Sequence, residues 1–156
     1  MEVWLCDLTY TQQSISSDAI PYAIGGIASY INEKAEFNLE LKIIKYPEDL
    51  AKKIEKLAKG ESEPPQFIGF SNYLWNFNIS YKFASLIKEL KIKNCPKIIF
   101  GGPNFPIEEI EQFEFLKKQS YIDYYIAKEG EGAWLELITY FDLHRNLDNE
   151  EELLEN

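Results

Sequence analysis

The sequence predicts one doubly wound α/β domain built on a five-stranded parallel sheet, and three observations predict it. Apolar periodicity switches regularly between strand and helix spacing along the chain, the mark of a parallel sheet wrapped by helices. Two short runs, Phe67-Ile68-Gly69-Phe70 and Ile98-Ile99-Phe100, are continuously apolar, as central strands covered on both faces are. The 156 residues, 46% of them hydrophobic, suit a single core, because a chain of this size buries about 70% of its unfolded surface.

Five strands and five helices follow in order. Val3 to Leu8 opens the chain as a strand, and after a polar loop from Thr9 to Ser17 a helix is expected from Asp18, its N-cap, with Ile20, Ile24, Ile27 and Ile31 along one stripe. Leu39 to Ile44 alternates Leu39, Leu41 and Ile43 with Glu40 and Lys42, which suits an edge strand with one wet face. Pro47 to Lys59 carries Leu50, Ile54 and Leu57 at helical spacing and stops at Gly60. Between the two central strands, Ile79, Phe83, Leu86, Ile87 and Leu90 make an amphipathic helix. Pro106 suits the first turn of the next helix, with Glu108, Glu109 and Glu111 complementing its positive end. The last strand lies near Ile122 to Ala127, and Trp134, Leu137, Ile138 and Phe141 face inward from the last helix. The expected topology is Rossmann-like, of flavodoxin type, with strand order 2-1-3-4-5. The domain spans 1–145, and the acidic 146–156 reads as a frayed tail or the start of a linker.

Composition removes several function classes. The net charge of −10, with one arginine and lysines interleaved among glutamates, offers no basic footprint for nucleic acid. No apolar run reaches the ~20 residues that span a bilayer, and the N-terminus lacks the basic region of a signal peptide, so neither membrane insertion nor export is expected. Cys6 and Cys95 are two isolated thiols in apolar surroundings, which fits a reducing cytoplasm rather than a disulfide framework. His144 is the one histidine and has no thiol or zinc-type partner in the pattern. A phospho-accepting domain of this topology needs an aspartate at the end of the third strand, where Gly69-Phe70-Ser71-Asn72 stands. No G-x-G-x-x-G or G-x-x-x-x-G-K-[ST] loop follows a strand.

Open parallel sheets bind ligands beyond the carboxyl ends of their strands, so four loops carry the interest. Thr9 to Ser17 is dense in hydroxyls and amides, Thr9 and Ser14 among them, able to hold amide or phosphate oxygens; a polar loop with a helix cap explains it equally. Ser71-Asn72-Tyr73-Leu74-Trp75-Asn76 joins two large aromatics to small polar residues with no charge nearby, which suits a flat, uncharged, amide-bearing ligand; Tyr73 and Trp75 packing the top of the domain is the plainer reading. Gly101-Gly102-Pro103-Asn104 permits positive φ and close approach of a ligand or of neighbouring backbone. Glu129-Gly130-Glu131-Gly132 opens the last helix, with Glu131 placed for its dipole, and simple helix initiation accounts for it too.

Taken together, Gly69-Phe70-Ser71-Asn72-Tyr73-Leu74-Trp75-Asn76, Ile98-Ile99-Phe100-Gly101-Gly102-Pro103 and Asp123-Tyr124-Tyr125-Ile126 leading to Glu129-Gly130-Glu131 resemble the G-F-S-x-Y-x-W-N, I-x-x-G-G-P and D-Y-x-x-x-G-E-G-E signatures of cobalamin-binding radical-SAM proteins. The resemblance runs from about Val3 to Phe141 with the spacings in order. It implies a domain that holds cobalamin against the strand C-termini, with a radical-SAM barrel, in cis or in trans, carrying a [4Fe–4S] cluster and S-adenosylmethionine. No C-x-x-x-C-x-x-C occurs, so cluster and S-adenosylmethionine are expected only in such a further domain and no catalytic residue is assigned.

By the same resemblance Ser71, Asn72, Tyr73 and Trp75, with Asn76, would form the platform beneath the corrin. Gly101, Gly102 and Pro103, followed by Asn104, would let the nucleotide loop or corrin amides approach, and Glu129, Gly130 and Glu131 would complete the rim. The D-x-H-x-x-G motif that supplies a histidine to cobalt in methionine synthase-like domains is missing, which implies base-off cobalamin without a histidine ligand. Two positions depart from the family pattern. Lys128 replaces the first glycine of G-E-G-E, which questions the tight turn, and Asn104 stands where histidine is frequent. A methyltransferase or related radical reaction is the implied setting. A flavin-binding electron carrier and a cofactor-free interaction module are the alternatives on this topology.

Overall fold

The computed structural model describes residues 1–10 and 20–154, with side chains described through residue 144. Five parallel strands, β1 (Glu2–Cys6), β2 (Glu40–Ile44), β3 (Phe67–Ser71), β4 (Lys97–Gly101) and β5 (Tyr124–Ile126), form one sheet in the order β2-β1-β3-β4-β5. The expected Rossmann-like fold and strand order are therefore observed. Register pairs Leu5 with both Ile43 and Gly69, and Ser71 with Gly101, so the strand ends that carry the loops of interest lie side by side.

Period-two alternation sorts the side chains of each central strand between two cores. Trp4, Cys6, Ile68, Phe70, Ile98 and Phe100 face one layer, where Leu50, Ile54 and Leu57 of α2 (Pro47–Ala58) and Ala84 and Ile87 of α3 (Phe77–Glu89) cover them. Val3, Leu5, Phe67 and Ile99 face the other, covered by Ile24, Ala28 and Ile31 of α1 (Tyr22–Lys34) and Trp134 and Ile138 of α5 (Gly130–Leu154). α4 (Glu109–Lys118) lies more loosely, with no fully buried residue.

Several local expectations are corrected. Asp18 lies outside the described residues, and α1 begins at Tyr22 behind Pro21. A residue preceding proline is steered away from helical geometry, which leaves Ile20 outside the helix and 85% exposed instead of on the apolar stripe. Ile43 and Leu86 are exposed as well, and Ile44 and Ala84 are buried in their elements instead. Pro106 precedes α4 rather than entering it: its carbonyl accepts a hydrogen bond from the Gln112 side chain at 2.8 Å, and extended Glu108 takes the N-cap position. The backbone of the acidic C-terminal stretch continues α5 through Leu154.

Cys6 is buried and Cys95 half-buried, both as free thiols, and burial pushes the Cys6 thiol far up from its ordinary value. No helix among the described residues is long and apolar enough to cross a membrane.

Candidate functional site

At the carboxyl ends of β1, β3, β4 and β5, on the face covered by α1 and α5, the chain leaves a cleft of about 390 Å³. Its interior is formed by Leu5, Ile24, Ile99, Ile126 and Trp134, all buried. Gly69 explains how the floor is made. A Cβ there would stand 2.4 Å from Trp134 Cζ2, so only glycine lets the indole lie against the strand. Gly130 admits Ile27 in the same way, at 2.9 Å from its Cδ1.

Three of the four predicted loops meet around this cleft, but they divide the labour. Ser71, Tyr73, Gly101, Gly102, Pro103, Glu129, Gly130 and Glu131 line it. Asn72, Asn76 and Asn104 do not; they brace the walls. Asn72, fully buried, donates from Nδ2 to the Asn104 carbonyl at 2.7 Å and to the Tyr125 hydroxyl at 2.9 Å, while its Oδ1 accepts from Asn104 Nδ2 at 3.1 Å. The Tyr125 hydroxyl in turn donates to the Gly102 carbonyl at 2.9 Å. Burial pushes the Tyr125 phenol up to about 12, although the hydrogen bond from Asn72 favours the phenolate.

Gly102, at φ +136°, is the hinge of this arrangement. A Cβ there would fall 2.6 Å from the Asn72 carbonyl oxygen, so the glycine serves close approach of neighbouring backbone.

A second brace spans β1 and β3, the point where the strand order reverses and open sheets place their ligands. Ser71 Oγ donates to Asp7 Oδ1 at 2.5 Å and accepts from Asn76 Nδ2 at 2.9 Å. Asn76 Oδ1 takes the Tyr73 backbone N–H at 2.8 Å, closing the turn that carries the two aromatics. Those rings stack at a centroid distance of 4.4 Å and 7° between planes, with Trp75 65% exposed. The pair forms a flat apolar surface, with Tyr73 in the cleft wall and Trp75 outside it.

Lys128 settles one departure from the expected pattern. It adopts φ +66°, the left-handed conformation for which glycine is the usual residue, so the turn into α5 is made with a lysine in place. Lys128 also lines the cleft. Thr9 sits beyond β1, its N–H donating to the Lys45 carbonyl at 3.2 Å, and Ser14 lies outside the described residues.

His144 is exposed, with Nδ1 2.8 Å from the Tyr140 carbonyl oxygen. It lies 10 residues after Trp134, the last residue of α5 to line the cleft, which at a rise of about 1.5 Å per residue places its backbone roughly 15 Å further along the helix. Among the described residues no cluster of His, Cys, Asp or Glu is arranged to hold a metal ion.

Four contributors were not singled out from the sequence. Asp7 reads there as the end of an apolar strand, Tyr125 as part of a motif without a role, Trp134 as core and Lys128 as a departure. A glycine in mid-strand at position 69 is the one signal that announces a close approach.

No family model matches the chain. It is 35% identical over 92 residues, 59% of its length, to the cobalamin-dependent radical SAM methyltransferase TokK of Streptomyces tokunonensis. Over 85 residues, 54% of its length, it is 31% identical to the 2-(S-pantetheinyl)-carbapenam-3-carboxylate methyltransferase of Streptantibioticus cattleyicolor. These stretches span 13% and 12% of the two relatives. Among solved structures, a cobalamin-binding protein from Desulfitobacterium hafniense shares the fold, with a TM-score of 0.58 at 12% identity over 89% of this chain and 57% of that one.

Proposed function

We propose that this chain is a cobalamin-binding domain that holds the corrinoid base-off over the carboxyl ends of its strands for a radical-SAM methyltransferase or related radical enzyme. The observation that carries the reading is the nearly parallel Tyr73–Trp75 stack, its Trp75 ring exposed, beside an apolar cleft. The fit is one of shape and chemistry. The stack offers a flat apolar face, and the two braces hold it rigid before any ligand arrives. At about 390 Å³ the cleft falls at the low end of small-molecule sites, which span roughly 300–1,000 Å³. A corrin with its amide side chains is too large to enter it, so the macrocycle would rest on the mouth and only an appended flat group would go inside.

Tyr73, Trp75, Gly101, Gly102 and Pro103 would meet the corrinoid, and Lys128, Glu129 and Glu131 would form the rim. His144 is too distant to reach a cobalt seated there, which supports a corrinoid without a histidine ligand from this chain. Bound cobalamin supplies an organometallic cobalt centre able to carry a methyl group; this chain's residues would orient it and keep water from its lower face. The cluster and S-adenosylmethionine would belong to a radical-SAM domain supplied in cis or in trans, since the chain has no C-x-x-x-C-x-x-C.

The test is a visible-absorption titration of the chain with hydroxocobalamin and methylcobalamin, followed alongside tryptophan fluorescence. Saturable binding with a base-off spectrum is expected. Absence of binding to both, from a chain that unfolds cooperatively and so is folded, would overturn the proposal.

A further inference from the structure

On the reading just proposed, we infer that the cleft selects the corrinoid by its lower base, accepting apolar benzimidazole or phenolic bases and discriminating against purines. Only the base of the nucleotide loop is small and flat enough to enter, so the chemistry of the cleft interior determines which bases are accepted.

The buried floor of that interior has little hydrogen-bonding capacity. Of the buried residues that line it, Leu5, Ile24, Ile99 and Ile126 offer carbon alone. Ser71 has its hydroxyl proton committed to Asp7 and already accepts from Asn76. Trp134 presents an indole N–H, which donates and cannot accept. Nearby carbonyls are engaged as well: Gly101 O accepts the Asn72 N–H at 2.7 Å, and Gly102 O accepts the Tyr125 hydroxyl. The remaining side-chain acceptors of the lining, the Tyr73 hydroxyl and the Glu129 and Glu131 carboxylates, belong to residues that are exposed or half-buried rather than part of the floor. Glu129 is exposed, and Glu131 Oε1 lies towards α1, 3.7 Å from where a side chain at Gly26 would begin.

A purine and a benzimidazole are both flat bicycles, so size does not separate them. Hydrogen bonding does. The exocyclic amine of adenine is a donor that would lose its water and meet no acceptor on the cleft floor. A methylated benzimidazole or a cresol presents only carbon there.

The experiment compares three corrinoids in the methyl form against the intact chain: p-cresolylcobamide, adeninylcobamide and cobinamide. The cresol cannot coordinate cobalt and adenine does so poorly, so neither comparison is distorted by the work of detaching a base from the metal. Cobinamide lacks the nucleotide loop and reports the corrin contact alone. We expect the cresolyl form to bind about 10- to 100-fold more tightly than the adeninyl form, the penalty of an amine buried without an acceptor, and cobinamide to bind more weakly than the cresolyl form. Equal affinity of the two complete cobamides, both above cobinamide, would overturn the selectivity while leaving cobalamin binding in place. Equal affinity of all three would show that no base enters the cleft and would overturn it too. Binding of none would remove the proposed function and this inference with it.

Discussion

Replacing Gly102 by alanine puts a methyl group where the Asn72 backbone already stands, and the structure sets how much that should cost. The new carbon would lie 2.6, 3.0 and 3.1 Å from the Asn72 O, N and C atoms, whereas carbon contacts prefer about 3.5–4.0 Å. Those atoms are not free to retreat. The Asn72 N–H is bonded to the Gly101 carbonyl at 2.7 Å and its carbonyl to the Asn104 N–H at 3.2 Å. The residue also sits at φ +136°, where a side chain adds strain of order 1–3 kcal/mol. Loss of one such hydrogen bond adds about 1 kcal/mol, so Gly102→Ala should destabilise the domain by roughly 3 kcal/mol. Gly101→Ala is the internal comparison. Its methyl would meet the Ile126 carbonyl at 3.3 Å with no unfavourable φ, so a loss of about 1 kcal/mol is expected. Urea unfolding of both variants at unchanged m gives the two values. A Gly102→Ala loss no larger than that of Gly101→Ala would refute the reasoning that this glycine exists for the Asn72 backbone.

Three further outcomes are expected. Lys128→Gly relieves a left-handed lysine, a gain of about 1 kcal/mol offset by roughly 0.5–1 kcal/mol of added chain entropy; its Tm should hold or rise slightly in a thermal melt, while Lys128→Val should lower it. Trp75→Ala should cost the fold only about 1 kcal/mol, because the ring is largely exposed and stacked on Tyr73 alone among the described rings, yet weaken corrinoid binding by about tenfold or more; unchanged affinity would remove the stack from the site. Tyr125→Phe should abolish an alkaline loss of stability. Burial raises the phenol to about 12 in the folded chain, against about 10 in the unfolded one, so the folded state keeps a proton that the unfolded state has lost. Its contribution is therefore complete below pH 10 and disappears as pH climbs towards 12. The measurement is urea stability against pH for both proteins, and parallel curves would refute it.

The fold was legible in the sequence because strand and helix periods alternate without interruption and two continuous apolar runs mark the central strands. Where the reading failed, a local preference was overridden by a neighbour. Ile20 fits a helical stripe by spacing, but Pro21 sets the boundary behind it. Pro106 has the residue type for a first turn, yet an extended Glu108 takes the N-cap position and α4 begins only at Glu109. The loops around the cleft were legible as places and less so as roles. Asn72, Asn76 and Asn104 look like ligand-binding amides in sequence; in the fold each is already hydrogen-bonded within the loops. Composition cannot tell an amide that waits for a ligand from one that satisfies a loop, because both demands select the same residue types. Trp134 was hidden for the opposite reason: a buried tryptophan four residues into a helix looks like ordinary core until Gly69 is seen beneath it.

That division bears on how such a site can recognise a large cofactor. The polar side chains at the strand ends are engaged in holding three loops against one another, through Asp7 on one side and Tyr125 on the other. What remains to face a ligand is an aromatic plane, a set of glycines and an apolar hollow, with Lys128, Glu129 and Glu131 at the rim. A site of that kind gains affinity from area and from being rigid beforehand, and it rejects ligands chiefly by refusing to solvate their polar groups. Discrimination should therefore reside in the braces as much as in the lining: loosening Asn72 or Asp7 would let water or a freed amide into the cleft and supply the acceptor that a purine lacks. An Asp7→Ala variant, which frees the Ser71 hydroxyl while Asn76 keeps its bonds to Ser71 Oγ and the Tyr73 N–H, should narrow the ratio between cresolyl and adeninyl affinities more than it lowers the cresolyl affinity itself. A ratio that stays constant while both affinities fall together would place the selectivity in the lining alone.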